Sequence, residues 1–524
     1  MSENIDLLIV KPGSPQKIYG DLSSSFAAIE PPVWGGMVAS FIRDKGYSVK
    51  MLDMEVEDLA VGQIAKEDKS SSSTTEALAE VKKRTKFSSP SSAARVADEI
   101  IKSNPLLVNI VVMGPNPSAS STPLMAAIRE LLNSLKEKSP QIKTILTGIH
   151  PSALPEKTLR EEKTDFIGQG ESFYTILHLL KLLKSGKKIQ NYKIKGLCYL
   201  SDGKVISNGW GELIQNPDEL PPVAWDLISV EKYRAHNWHC FGNLLQRSPY
   251  AVIYTSLGCP YNCSYCNIHT LYDGKPGIRF RSPKKIIEEI DLLVKTYKVK
   301  NVKFLDELFA INDDRVNSVC DLLIDRGYDL NIWAYARINT VNERMLKKMK
   351  KAGINWLCYG IESGSKGVRI GVSKLGFGQD TIRKVVRMTQ DAGIYVLGNF
   401  IFGLPDDDLE TMQETFNLAK ELNCEYVNFY AAMAYPGSRL FKEARNNGAE
   451  LPKSWLGYAQ LNEETLPLNT KYLSGKEVLR FRDKAFKEYY TNPEYLKQIS
   501  EKFGQETVLH INEMLKHKIK RKFV

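Results

Sequence analysis

Along the first 195 residues, apolar positions fall in short unbroken runs: IDLLIV (5–10), SVKMLDM (48–54), LLVNIVVMG (106–114), KTILTGI (143–149) and the brief DFIGQGES (165–172). Between them the spacing turns helical, as in GGMVASFIRDKGY (35–47), TPLMAAIRELLNSLKEK (122–138) and FYTILHLLKLLKSG (173–186). Runs without polar alternation, separated by helices, predict parallel strands buried on both faces. Residues 1–195 are therefore expected to form an α/β, doubly wound, Rossmann-like (flavodoxin-like) domain. A serine-rich, charged stretch at 66–92 interrupts it and reads as a solvated insert containing a helix.

Residues 196–248 read as a linker. It opens with a hairpin-like GLCYLSDGKVISN, turning at Asp202 and Gly203, and continues extended through Pro217, Pro221 and Pro222. A second strand and helix series follows over 249–445: AVIYTS (251–256), VKFLD (302–306), NIWAYAR (331–337), INWLCYGIE (354–362), IYVLGNFIF (394–402) and EYVNFYAAM (425–433). Each leads into a helical pattern, as where Ser282 is placed to cap a helix with Pro283 in its first turn. Six such units predict a partial (βα)6 TIM barrel with an open side. Residues 446–524 are expected to be a small, mainly helical region.

Composition changes this picture little. With 43% hydrophobic residues in 524 the chain has material for filled cores. Eight cysteines are too few for a disulfide scaffold, so free thiols in a reducing, cytoplasmic setting are expected. The first residues have no signal-peptide pattern, and no apolar run approaches the ~18 residues of a membrane span. The formal charge of +10 is spread widely except for MLKHKIKRKFV at 514–524, which reads as a solvated basic end.

Chemistry enters at SLGCPYNCSYCNIH (256–269), straight after the first barrel strand. Cys259, Cys263 and Cys266 follow the spacing C-x3-C-x2-C. Three thiolates on one loop suit an iron–sulfur cluster with one iron left open. The competing reading is a closed Cys3His zinc knuckle using His269. The position favours the cluster, because catalytic groups gather at the C-terminal ends of barrel strands.

Over residues 250–445 the chain resembles the radical S-adenosylmethionine (SAM) superfamily. The resemblance implies a 4Fe-4S cluster on Cys259, Cys263 and Cys266, with SAM at the open iron and Tyr265 matching the aromatic of the loop. It also implies SAM contacts at successive strand ends. Asp306 and Glu307 would take the methionine ammonium, and Arg337 its carboxylate. Glu362 and Ser363 would meet the ribose and methionine ends, and Gly403, in GNFIFGLP, would lie beside adenine. AYPGSRLF (434–441) recurs in relatives as a loop-shaping stretch.

Residues 1–195 resemble the cobalamin-binding domains attached to such enzymes, through PPVWGGMVASFIRDKGYSVKMLDME, TGIHPSALPE and DFIGQGES. A ligand of a doubly wound sheet binds outside the carboxyl ends of its strands. The candidates are Met113, Gly114, Asn116, Gly148, His150, Gly168, Gly170 and Glu171. The alternative is a plain flavodoxin-like domain whose glycines only form turns. The loop after the first strand, KPGSPQKIYG, has no histidine and so lacks the Asp-x-His-x-x-Gly motif. Cobalamin is expected base-off with no protein histidine on cobalt.

The resemblance implies a cobalamin-dependent radical SAM methyltransferase: a 5'-deoxyadenosyl radical takes hydrogen from an unactivated carbon, which then receives a methyl group from methylcobalamin. The competing readings are a cobalamin-using radical cyclase or rearrangement enzyme, and a non-enzymatic iron–sulfur redox sensor or electron carrier. A methylthiotransferase would carry a second three-cysteine set in its first domain, whereas residues 1–240 hold only Cys198 and Cys240. The expected partners are a small-molecule substrate, anionic or linked to a nucleotide or sugar, and an electron donor such as flavodoxin or ferredoxin, with no nucleic acid. His236, Trp238, His239, Arg247, Arg279 and Arg281 flank the cysteine loop in sequence, where they are candidates to face substrate, although such residues more often pack a domain junction or meet solvent.

Overall fold

The computed structural model describes residues 5–13, 18, 20, 22–56 and 93–524. The expected insert at 66–92 lies outside the described residues. The first sheet has strands β1 (Leu7–Lys11), β2 (Val49–Asp53), β3 (Leu107–Val112), β4 (Thr144–Gly148), β5 (Phe166–Gly168), β6 (Leu197–Ser201) and β7 (Lys204–Ser207) in the order β2-β1-β3-β4-β5-β6-β7. The first five are parallel and the last two antiparallel. Alternate residues of β1 divide between two cores. Leu7 and Ile9 pack with helices Val33–Asp44 and Phe173–Lys184, and Leu8 and Val10 with Ala93–Ser103 and Met125–Lys138. This is the period-2 consequence of a sheet covered on both faces. The strand order reverses between β1 and β3, the switch point where such sheets open a crevice.

The hairpin β6–β7 extends this sheet by pairing β6 with β5. Asp202 and Gly203 take φ of 49° and 74°, the paired left-handed conformation a two-residue turn requires. The proline-rich stretch then straps the two domains. Val223 lies on the helix Val33–Asp44 where Gly36 has no side chain, and a Cβ there would stand 2.6 Å from Val223 Cγ1. From the other side the buried Glu289 accepts from Val223 N at 3.2 Å and Trp225 Nε1 at 3.0 Å, and pairs with Arg281.

The second sheet is all parallel, with edges at β8 (Tyr250–Ile253) and β15 (Tyr426–Ala431). Between them run β11 (Asn301–Phe304), β12 (Asn331–Ala336), β13 (Ile354–Glu362) and β14 (Tyr395–Phe402). A short antiparallel pair, β9 (Ser256–Leu257) and β10 (Arg279–Phe280), brackets the cysteine loop. Ser282 caps the helix Pro283–Tyr297, as its sequence predicts. The barrel is open between β8 and β15, and its aliphatic and aromatic core is continuous with one core of the first domain.

Beyond residue 446 the structure is less helical than expected. Helices Gly475–Tyr490, Pro493–Phe503 and Gln505–Leu515 are preceded by an irregular stretch with one short turn, Trp455–Tyr458. Trp455 and Tyr458 join the second core of the first domain. Among the described residues no helix is long and apolar enough to cross a membrane.

A buried charge links the domains at the barrel's open side. Lys303 Nζ, on β11, donates to Glu30 Oε1 at 2.9 Å, to Glu30 Oε2 at 3.0 Å and to the Pro115 carbonyl at 2.8 Å. All three ammonium protons are thereby used. Lys303→Met leaves Glu30 buried without its counter-charge, and removing one partner of such a pair costs about 3–5 kcal/mol. The urea midpoint followed by circular dichroism is expected to fall accordingly, and the double replacement Lys303→Met with Glu30→Leu to recover much of the loss.

Candidate active site

The cysteine loop is fixed from behind. Asp306, fully buried after β11, accepts from Thr255 N at 2.6 Å, Ser256 N at 3.1 Å and Ser256 Oγ at 2.8 Å, and from the Thr255 hydroxyl. Arg315 stands 3.8 Å from the same carboxylate. All of this acceptor capacity holds the chain entering the loop. From the front, Ser264 N donates to the Val372 carbonyl at 3.1 Å and Leu440 N to the Ser264 carbonyl at 2.8 Å. Asn267 Nδ2 donates to the Pro436 carbonyl at 2.9 Å. The AYPGSRLF turn therefore supports the loop directly, which its composition alone does not announce.

The three cysteines face one cavity of about 210 Å³, lined also by Tyr265, Glu307, Arg337, Glu362 and Lys374. Arg337 Nη1 lies 3.9 Å from Cys263 Sγ, and the Arg337 guanidinium stacks 4.1 Å from the Tyr261 ring. Glu362, at φ 69°, accepts from Tyr265 Oη at 2.8 Å and Lys374 Nζ at 2.9 Å. Glu307 accepts from Tyr272 Oη at 3.0 Å and Gly258 N at 3.1 Å. Burial, reinforced by the Asp306 carboxylate, raises Glu307 to about 7.

As thiols, Cys259 and Cys266 are pushed up by burial to about 12 and about 11. All eight cysteines are free. Among the described residues no three His, Cys, Asp or Glu side chains stand together as ligands of one ion. His269 Nε2 lies 2.7 Å from the Tyr261 carbonyl and so is placed to donate to it. The zinc knuckle is not assembled. Three thiols on one loop, lining one cavity beside an arginine, fit a larger iron–sulfur cluster with one iron unligated by protein.

Two expected SAM residues stand apart. Ser363 is fully buried and shares a hydrogen bond with Thr415 Oγ1 at 3.0 Å. Gly403 stands at φ 80° with Val478 where a Cβ would be, so its bare backbone admits the helix Gly475–Tyr490. Lys374 and Tyr335 were not expected from the sequence. Lys374 belongs to no strand end, and Tyr335 reads as strand core until the barrel places it inward.

A second cavity, of about 520 Å³, fills the barrel lumen and its open side. It is bordered in the first domain by the segments Leu22–Glu30 and Pro115–Ser120, at the switch point. Asn116, Tyr335 and Asn399 line both cavities, which therefore adjoin. Ser118 Oγ comes within 4.0 Å of Cys266 Sγ, so the loop after β3 reaches the cysteines.

Met113 and Gly114 line a smaller space at the same switch point, with Trp34 and Tyr254. Trp34 Nε1 and Tyr254 Oη are buried there without a hydrogen-bond partner among the described residues. This space holds only about 40 Å³, so a ligand as large as cobalamin would occupy the cavity of about 520 Å³ that Leu22–Glu30 and Pro115–Ser120 border at the same switch point. The candidates after β4 and β5 line none of these spaces. His150 is fully buried, its Nδ1 3.2 Å from Thr122 Oγ1 and its ring 4.6 Å from Trp455. Burial lowers it to about 3. Gly148 packs on the Val112 carbonyl, and Gly168 on Ser172. Gly170 N donates to Ser152 Oγ at 2.9 Å. Glu171 pairs with Arg279 and accepts from Ile214 N at 2.8 Å, a tie between the domains.

Residues 253–419 match the model of the radical SAM superfamily. The chain is 29% identical to an uncharacterized methyltransferase of Pyrococcus horikoshii, over 90% of this chain and 91% of that protein. It is 26% identical to the anaerobic magnesium-protoporphyrin IX monomethyl ester cyclase of Rubrivivax gelatinosus, over 62% of this chain and 57% of the cyclase. The chain thus spans little more than half of that relative. Its fold is shared with the radical S-adenosylmethionine methyltransferase TsrM of Kitasatospora setae, solved with cobalamin and a [4Fe-4S] cluster. That match has a TM-score of 0.65 at 14% identity and covers 94% of this chain and 90% of that one.

Proposed function

We propose that this chain, a radical SAM protein over residues 253–419, is a cobalamin-dependent enzyme that methylates an unactivated carbon of a small molecule. The observation that carries the reading is the pair of adjoining cavities that share Asn116, Tyr335 and Asn399, one holding the three cysteines and the other bordered by the switch point of the first domain. The similarity to a methyltransferase along nine-tenths of the chain supports it.

Cys259, Cys263 and Cys266 would hold a 4Fe-4S cluster, and the first-domain segments Leu22–Glu30 and Pro115–Ser120, Asn116 among them, would border cobalamin. When bound, the cluster supplies the electron that divides SAM into methionine and a 5'-deoxyadenosyl radical, and cobalamin supplies the methyl group. The chain's own residues bind and enclose. Arg337 beside Cys263 pairs the methionine carboxylate, and Glu307 accepts from the ammonium. Glu362, oriented by Tyr265 and Lys374, accepts from the ribose hydroxyls. Trp333, Tyr335 and Tyr430 wall the lumen and keep water from a carbon radical.

Cobalamin would be held base-off, with no protein histidine supplied to its metal. His150, the histidine expected near the site from sequence, is closed in beneath Trp455, and of the other histidines His236 and His517 line the large cavity. The cob(II)alamin form is expected to show no nitrogen superhyperfine splitting by electron paramagnetic resonance, and a resolved splitting would overturn this. A flavodoxin- or ferredoxin-type donor supplies the electron, in the reducing cytoplasm to which eight free thiols are suited.

A cyclase reading rests on the similarity to the Rubrivivax gelatinosus enzyme. The deciding experiment is anaerobic reconstitution with iron, sulfide and hydroxocobalamin, followed by SAM and a strong reductant. Formation of 5'-deoxyadenosine with cobalamin retained through gel filtration is expected. Deoxyadenosine without retained cobalamin would leave a radical enzyme whose first domain has another task. Product mass separates methylation from ring closure.

A further inference from the structure

The basic stretch at 514–524 reads from sequence as a solvated end, but the structure folds it back over the large cavity. Arg521 is the clamp. Its Nε and Nη2 each stand 2.9 Å from the Asp483 carboxylate, and Nη1 donates to the carbonyls of Gln460 at 3.0 Å and Asn462 at 3.1 Å and to Thr465 Oγ1 at 2.9 Å. Only 5% of the Arg521 side chain is exposed. The clamp brings His517 and Lys518 to the cavity wall, with the His517 ring 5.5 Å from Phe26 of the first domain.

The charges of this cavity do not cancel. Glu30 is matched by Lys303, and Asp483 by Arg482 and Arg521. Lys487 and Lys518 also line the cavity, stand exposed at its mouth, and have no carboxylate partner among the described residues. The inner wall is aromatic and nearly uncharged, with Tyr250, Trp333, Tyr426 and Tyr430. The cavity therefore runs from the residues it shares with the cysteine cavity, past aromatic rings, to two uncompensated ammonium groups.

From this geometry we infer that the substrate carries a phosphate or carboxylate held by Lys487 and Lys518, with an apolar or aromatic body in the lumen and its reacting carbon toward Asn399. This rests on the reading of the lumen as the substrate chamber, and the binding test does not depend on SAM cleavage. The phosphodiester of cobalamin is a second source of the same charge, so cobalamin retention forms one arm of the experiment.

Protein loaded with cluster and cobalamin is titrated calorimetrically with 2-naphthyl phosphate and with 2-naphthol. The phosphate ester is expected to bind more tightly. The Lys487→Glu and Lys518→Glu pair should weaken it by about tenfold or more, the scale of lost charge-assisted hydrogen bonds. The affinity for 2-naphthol should change less than twofold, and the variant should keep its cobalamin through gel filtration. Both lysines are exposed, so an unchanged thermal midpoint is expected to accompany the result. Equal binding of the two probes, binding of neither, or a phosphate affinity indifferent to the replacements would overturn the inference. Loss of cobalamin from the variant would overturn it too, by assigning the charge to the cofactor.

Discussion

Replacing Cys263 by alanine is expected to reduce 5'-deoxyadenosine formation to the level of protein that was never reconstituted. The cavity offers three thiols and no fourth thiol or imidazole to replace one: His269 does not line it, and the other five cysteines lie buried elsewhere in the cores. Changes to groups that only orient a metal ligand cost about 10–100-fold. Removal of a ligand should exceed that, with iron and the cluster's visible absorbance falling together. Cys320→Ala is the matched control, because Cys320 packs in the helix Asp313–Arg326 away from the cavity and its loss should leave iron content unchanged. A Cys263→Ala protein that keeps its iron and still divides SAM would remove the three-cysteine site from the mechanism.

The parts of this site that could be read from sequence are those written locally. The cysteine spacing, the strand ends carrying Glu307, Arg337 and Glu362, and the capping Ser282 all depend on residues a few positions apart. Each stands where its pattern places it. The strands too follow their apolar runs, because a strand covered on both faces has little choice of residue. What the sequence conceals is long-range. Nothing near Trp455 indicates that it closes over His150, some 300 residues earlier, and nothing in a run of lysines shows that Arg521 is captured by Asp483. Candidates after β4 and β5 looked accessible because glycine and serine suit a ligand loop. The same residues suit close packing, and Gly148 against the Val112 carbonyl is an instance. Conversely, Tyr335 enters the site only because the barrel's curvature turns it inward, and Lys374 because the stretch after β13 returns it to Glu362; no residue pattern marks either.

Asp306 lines the cysteine cavity and also carries a structural load that its position does not announce, and its replacement has the second large expected effect. An acid after the second barrel strand invites a role on the methionine ammonium. In the structure its carboxylate is fully buried and accepts from both the backbone and the hydroxyls of Thr255 and Ser256, with the Arg315 guanidinium behind it. Arg315 Nη2 is itself spent on the Thr255 carbonyl at 2.6 Å, and its Nε and Nη1 have no partner among the described residues. Asp306 is thus the compensating charge for a buried arginine as well as the anchor of the loop. Asp306→Ala leaves that guanidinium unpaired and frees two buried backbone donors, a loss of about 3–5 kcal/mol. The first urea transition should shift accordingly, and reconstituted iron should fall because Thr255 and Ser256 no longer fix the approach to Cys259. Asp306→Asn keeps the shape, but loses the charge and turns an amide N–H₂ toward donors, so it should recover only part of the stability. A group that only bound SAM would behave otherwise: the asparagine variant would unfold with the wild type, load a full cluster, and show only a raised KM for SAM. Urea melts and iron content of these two variants therefore separate anchor from ligand before any substrate is known.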